Sequence, residues 1–165
     1  MSGKRTPLSR ELITSTAVDV VSREGLDALS MRRLAQELDV WPMSMYRHFR
    51  DKEELLDAVA AAGADDVALP ADKQLSAFAA EARALLERQP SDLRRRALTS
   101  AGLLRLSDAA VESLTEAGVS PAEAAIAWRT VLAYVVGSIE LDAAGASGGT
   151  FEEGLERVLR GTITV

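Results

Sequence analysis

No stretch of useful length alternates apolar and polar residues with a period of two, whereas a 3.6-residue apolar period recurs from one end of the chain to the other. Ala, Leu, Glu and Arg are abundant, and all four favour helix. The expected fold is all-α. The first helix begins after Ser9 as N-cap, turns Leu12, Ile13, Thr16, Ala17, Val20 and Val21 to one face, and stops at Gly25. A second spans Ser30 to Leu38 with Leu34, Ala35 and Leu38 inward and Arg32, Arg33 and Glu37 outward. A break at Asp39 and Val40 precedes a third helix, which Pro42 opens and which carries Met43 to His48. Asp51 and Glu54 cap a fourth, running through Leu55, Leu56 and Val59.

Beyond Pro70, helices are expected over 72–88, 91–102 and 108–117, interrupted by Pro90, the Gly102 to Ser107 stretch and Gly118. Ser120-Pro121-Ala122-Glu123 combines a Ser cap, Pro at the first helical position and Glu at the third, which predicts a helix to about Ala143. Gly145 to Gly149 reads as a loop, and Thr150 to Glu153 as a capping box opening a last helix to about Arg160. The expected division is an N-terminal helical unit over 1–60 and a C-terminal helical domain over 61–165.

Composition narrows the function. With 165 residues, 47 % of them hydrophobic, the chain can build its own core. It has no cysteine and one histidine, so neither a disulfide framework, a thiolate metal site nor a multi-histidine centre is expected, and no metal or cofactor is assigned. Lys4 and Arg5 are followed by the amphipathic Glu11 to Arg23 rather than an apolar signal core, and no export is expected. The most apolar run, Ala124 to Ile139, contains Arg129 and reads as a buried helix too short to cross a bilayer. No membrane partner and a cytoplasmic location follow. No nucleophile with its base and no glycine-rich phosphate loop is present, so an enzyme is not expected.

The net charge of -6 argues against nucleic acid, but its distribution does not. Lys and Arg nearly balance Asp and Glu over residues 1–60, and most of the acid lies beyond. Between 32 and 52, Arg32, Arg33, Arg47, Arg50 and Lys52 outnumber Glu37, Asp39 and Asp51. Two short helices around a tight break, with small Ala35 at their crossing, fit a helix-turn-helix, whose second helix enters the major groove. Pro42, Met43, Ser44 and Arg47 would then face bases. Met45 falls on the inward phase with Leu38 and Phe49 and belongs to the core.

The run Ser30-Met31-Arg32-Arg33-Leu34-Ala35-Gln36-Glu37-Leu38-Asp39-Val40, then Ser44-Met45-Tyr46-Arg47-His48-Phe49 and Asp51-Lys52-Glu53-Glu54-Leu55-Leu56, resembles the DNA-binding domain of the TetR (tetracycline repressor) family. The resemblance covers about residues 9–60 and implies a homodimeric, ligand-responsive repressor of a palindromic operator in double-stranded DNA. It implies that Tyr46 and His48 contact phosphates, joined by Lys52, that Ser30 hydrogen-bonds a phosphate, that Arg32 reaches a guanine, and that Ser44 and Arg47 read the groove. Asp39 stands where the family usually has Gly, which its short side chain permits in a left-handed backbone. Trp41-Pro42-Met43 replaces the usual small or polar residues, so no relative's operator transfers. The tetracycline branch uses a histidine in its ligand domain, and this chain has none after His48, which points away from tetracycline with magnesium.

A small, largely apolar organic effector is expected, bound among Phe78, Leu85, Leu104 and Trp128, although for each of these alone, as for Tyr134, packing in a core is the favoured reading. The alternative is a helical DNA-binding or protein-interaction module without an effector. Arg94, Arg95 and Arg96 read as a solvated face. The apolar helix over 121–143 needs cover on several sides, and pairing with the 151–160 helix and two-fold mates in a four-helix interface would supply it.

Overall fold

A computed structural model of the protein describes residues 7–64, 67–71, 73–146 and 148–162, so Lys4 and Arg5 lie outside the described residues, as does one residue of the 145–149 loop. Nine α-helices follow one another among them: α1 (Arg10–Glu24), α2 (Met31–Glu37), α3 (Pro42–Met45), α4 (Lys52–Ala64), α5 (Leu75–Glu87), α6 (Ser91–Ala97), α7 (Ala101–Glu116), α8 (Pro121–Ala143) and α9 (Phe151–Thr162). A short 3₁₀ turn, Leu26–Ala28, links α1 to α2.

Local chemistry explains most of the boundaries. Ser9 accepts from the Leu12 N–H at 3.2 Å and opens α1, whose last turn closes where Gly25 takes φ 84°. At α8, Ser120 caps Glu123, whose carboxylate accepts from the Ser120 hydroxyl at 2.6 Å. At α9 the reciprocal box is complete: Glu153 N–H donates to Thr150 Oγ1 at 3.2 Å and Thr150 N–H to Glu153 Oε2 at 3.0 Å.

Two expectations fail. The Gly102 to Ser107 stretch does not break a helix but lies inside α7, because Gly102, Leu103 and Leu106 are buried against the core and tertiary packing outweighs the modest helix cost of one Gly. The interruption falls earlier, at residues 98–100, where Ser100 caps the Leu103 N–H at 3.2 Å. The third helix is also shorter than expected, ending at Met45 with a turn continuing to His48.

Two hydrophobic clusters organise the chain. Ile13, Ala17, Val20, Leu29, Leu34, Met45, Phe49, Leu55 and Val59 form the first, from α1 to α4. Phe78, Leu85, Leu86, Leu103, Leu106, Trp128, Val131 and Val135 belong to the second, from α5 to α9. The clusters exchange members: Ala64 at the end of α4 belongs to the second, and Leu93 of α6 to the first. Helix α8 spans the expected 121–143; at 23 residues it is long and apolar enough to cross a bilayer by length and composition, whereas its apolar run alone, Ala124 to Ile139, reads from sequence as too short. It packs against α5, α7 and α9 through Ala124, Ala127, Trp128, Val131, Val135 and Ile139.

Candidate nucleic-acid interface

The α2–α3 corner is built by a short chain of backbone bonds. Ser30 takes an extended backbone and accepts from the Arg33 N–H at 3.1 Å, starting α2. Its hydroxyl hydrogen is not consumed by that bond. The helix ends as Leu38 N–H donates to Leu34 C=O at 2.9 Å and Val40 N–H to Ala35 C=O at 2.9 Å, with Asp39 between them at φ 51°. Ala35 is 1 % exposed, so a larger side chain would hold the two helices apart. Pro42 then occupies the first position of α3, where no N–H is required.

Fully buried Met45 and Phe49 seat this segment on the first core, which forces the intervening residues outward. Pro42, Met43, Tyr46 and Arg47 are exposed and Ser44 and His48 half-buried. Trp41, immediately before the helix, is 84 % exposed and Met43 75 %. Met43 thus stands in solvent rather than in the core.

Not every cation of the corner is available. Arg33 is bound to Glu24 at 2.7 Å and Glu37 at 2.6 Å, and Arg23 to Glu37 at 2.8 Å. These partners raise the Arg33 pKa, Glu24 foremost, while Arg23 and then Arg33 hold the Glu37 carboxyl below its ordinary range. Arg50 is tied to Glu54 at 3.2 Å. Arg32, Arg47 and Lys52 are exposed and make no ion pair among the described residues. The arrangement therefore leaves three cations and three hydroxyls, of Ser30, Ser44 and Tyr46, around one short helix.

Arg10, which the sequence did not mark, fixes the approach of α3 to α4. Its guanidinium donates to the His48 carbonyl at 2.6 Å and to Glu54 at 2.8 Å, and lies 4.1 Å from the centre of the Phe49 ring. Glu54 also accepts from the Arg50 N–H at 2.9 Å, while its own N–H is capped by Asp51 at 2.8 Å. The Arg50 N–H first, then Arg10, pull the Glu54 pKa down from 4.5 to about 2. Lys52 stands at the first position of α4, among N–H groups that favour an anion.

In the second core, Phe78 and Trp128 meet edge to face, ring centres 6.4 Å apart, and Leu85 is fully buried. Leu104 does not join them: it is 52 % exposed. Trp128 Nε1 is the one buried side-chain polar atom without a hydrogen-bond partner among the described residues. No group of three His, Cys, Asp or Glu able to hold a metal occurs among them either.

The Arg94 to Arg96 run is not a solvated face, except at exposed Arg95. Arg94 binds Glu140 of α8 and donates to the Leu86 carbonyl at 3.3 Å. Arg96 bonds both Glu53 and Asp57 of α4. The carboxylate acceptors Glu140, Glu53 and Asp57 lie 39 to 46 residues away in sequence, beyond the reach of any local pattern. Trp41, by contrast, was legible as an aromatic where small or polar residues are usual.

Residues 13–59 match the family model described as bacterial regulatory proteins, tetR family. The tetracycline repressor protein class A from transposon 1721 of Escherichia coli is 31 % identical over 96 % of this chain and 81 % of its own. An HTH-type transcriptional regulator of Saccharopolyspora erythraea is also 31 % identical, over 82 % of this chain, which spans 61 % of that regulator's length. Among solved structures, BioQ with its double-stranded DNA operator superposes with a TM-score of 0.77 at 28 % identity, covering 94 % of this chain and 98 % of BioQ.

Proposed function

Since the chain belongs to the tetR family of bacterial regulatory proteins, we propose that it is a ligand-responsive transcriptional repressor, with no enzymatic activity of its own, that binds a near-palindromic operator as a cytoplasmic homodimer. The observation that carries this reading is the exposed face of α3 and the start of α4, where Ser44, Tyr46, Arg47 and Lys52 stand around a helix seated by Met45 and Phe49. Tyr46, His48, Lys52 and the Ser30 hydroxyl hold phosphates, Arg32 reaches a guanine, and Pro42, Met43, Ser44 and Arg47 meet base edges. The BioQ structure was determined with its operator bound, and the present chain shares that fold along nearly its whole length.

Dimerisation is assigned to α8 and α9. Ile126 and Leu141 of α8 are 62 % and 56 % exposed, apolar area that a two-fold mate would cover. Such a dimer sets its recognition helices roughly 34–36 Å apart, or a multiple of that turn of DNA. A monomer by light scattering at micromolar concentration would contradict it.

The effector is a small, largely apolar organic molecule admitted near Phe78, Leu85 and Trp128, with an acceptor atom for the unpartnered Trp128 N–H. Leu104, on the exposed side of α7, joins only if α7 turns. Binding there favours a state with altered recognition-helix separation, passed to α4 through the Arg96 latch. A regulator with no small-molecule effector is the second reading, favoured by the close burial of Phe78 and Leu85. A thermal-shift screen separates the two: stabilisation by apolar organic ligands supports the effector, and hits confined to highly charged metabolites exclude it.

The reading as a whole is tested by selecting genomic fragments with the purified protein. Recovery of a shared near-palindrome supports it; fragments without common sequence refute it.

A further inference from the structure

Among the exposed large hydrophobic residues of the described chain, Trp41, Met43 and Tyr46 fall within six consecutive positions, and Trp41 is the most exposed of the described ones. Trp41 is the N-cap of α3 yet makes no side-chain capping bond, in a position where Ser, Thr, Asp or Asn would stabilise the helix. Only its backbone serves the fold, its carbonyl accepting from the Ser44 N–H at 2.8 Å. The indole therefore contributes neither to the cap nor to the core, and its exposure has to be explained by what it meets.

The side chain stands at the N-terminal end of the helix assigned to the major groove, the end whose residues reach base edges. Met43, Tyr46 and Arg47, close by in the chain, are exposed as well. The exposed cations of the same corner, Arg32, Arg47 and Lys52, favour a polyanion over an apolar protein surface. In the major groove the one apolar feature of a base edge is the C5-methyl of thymine. Extending the proposed repressor function, on which the inference rests, we propose that Trp41, with Met43 beside it, reads thymine C5-methyl groups and is a specificity-determining residue for the operator. The indole N–H adds a donor for a neighbouring base acceptor.

Two measurements on the full-length protein and its selected operator test this. Each thymine is replaced singly by deoxyuridine, which removes only the methyl group, and affinity is compared for the wild type and Trp41→Ala. At one thymine per half-site the wild type should lose about fourfold, the factor for one methyl-sized group withdrawn from burial. Trp41→Ala should lose nothing further at that position. Acrylamide should quench exposed Trp41 in the free protein, leaving buried Trp128 protected, and operator binding should abolish that accessible fraction. Equal deoxyuridine losses in both proteins, or quenching unchanged by operator, would overturn the role of Trp41 while leaving the repressor reading intact. Failure to bind any sequence selectively would overturn both.

Discussion

Arg96 of α6 is hydrogen-bonded to Glu53 of α4, joining helices whose residues are 43 positions apart. Asp57, one turn further along α4, accepts from the same guanidinium. This fork binds the helix that follows the α2–α3 corner to the helical bundle behind it, and Leu93 of α6 reinforces the join by inserting into the first core. Partly exposed ion pairs are each worth only about 0.2–1 kcal/mol. Arg96→Ala should therefore cost about 1 kcal/mol, lowering the midpoint of thermal unfolding by about 2–4 °C. In a cycle with Glu53→Gln the two losses should be clearly less than additive. Full additivity would mean that the pair contributes nothing.

Gly154 in α9 packs so closely on Tyr134 of α8 that a Cβ there would overlap the hydroxyl and ring edge. Tyr134 cannot easily yield, since it stacks on Phe151 at 5.5 Å and donates to the Phe151 carbonyl at 3.0 Å. Gly to Ala within a helix ordinarily stabilises. Here the sign should reverse: Gly154→Ala should destabilise by about 1–3 kcal/mol, as overpacking does. Denaturant titration checks this, and combining the change with Tyr134→Ala should recover part of the loss it causes alone.

Glu54 supplies a pH dependence. Its folded pKa of about 2 lies below the ordinary 4.5, so its contribution is fully present above about pH 4.5 and drains away as the pH falls towards 2. Glu54→Gln should be less stable than the wild type at neutral pH, with the two denaturation midpoints converging in acid. A gap that stays constant from pH 7 to pH 2 would mean that the charge of Glu54 is not what stabilises the corner.

Lys52 and Arg47 should behave differently on DNA. Lys52→Ala is expected to weaken binding to all sequences alike and to reduce the slope of log affinity against log salt by about 1, the mark of a phosphate contact. Arg47→Ala should instead narrow the gap between operator and unrelated DNA. Fluorescence anisotropy at several salt concentrations distinguishes the two.

What the sequence conveyed and what it withheld divide by range. The boxes at Ser120 and Thr150 were legible because their partners lie three residues away, and the left-handed turn at Asp39 because backbone sterics are local. Inward phases were legible too: Ile13, Leu34, Met45 and Phe49 all point into the first core. Arg10, Arg94 and Arg96 were not, since their acceptors are tens of residues distant and a charge pattern does not name its partner. Gly102 misled for a related reason: its helix cost is local, but the packing of α7 that overrides it is not. For Phe78, Leu85 and Trp128, apolar periodicity looks the same for a packed core and a ligand wall.

The proposed reading of DNA by the α3 face can be measured on duplex DNA. The most direct test is the affinity of the selected fragment, against a shuffled duplex of equal length, for the wild type and the Tyr46→Phe, Arg47→Ala double variant across a salt series. The wild type should bind tightly, selectively and with salt dependence, whereas the variant should lose selectivity and keep a native unfolding curve. Equal wild-type affinity for both duplexes, or undiminished selectivity in the variant, would contradict it.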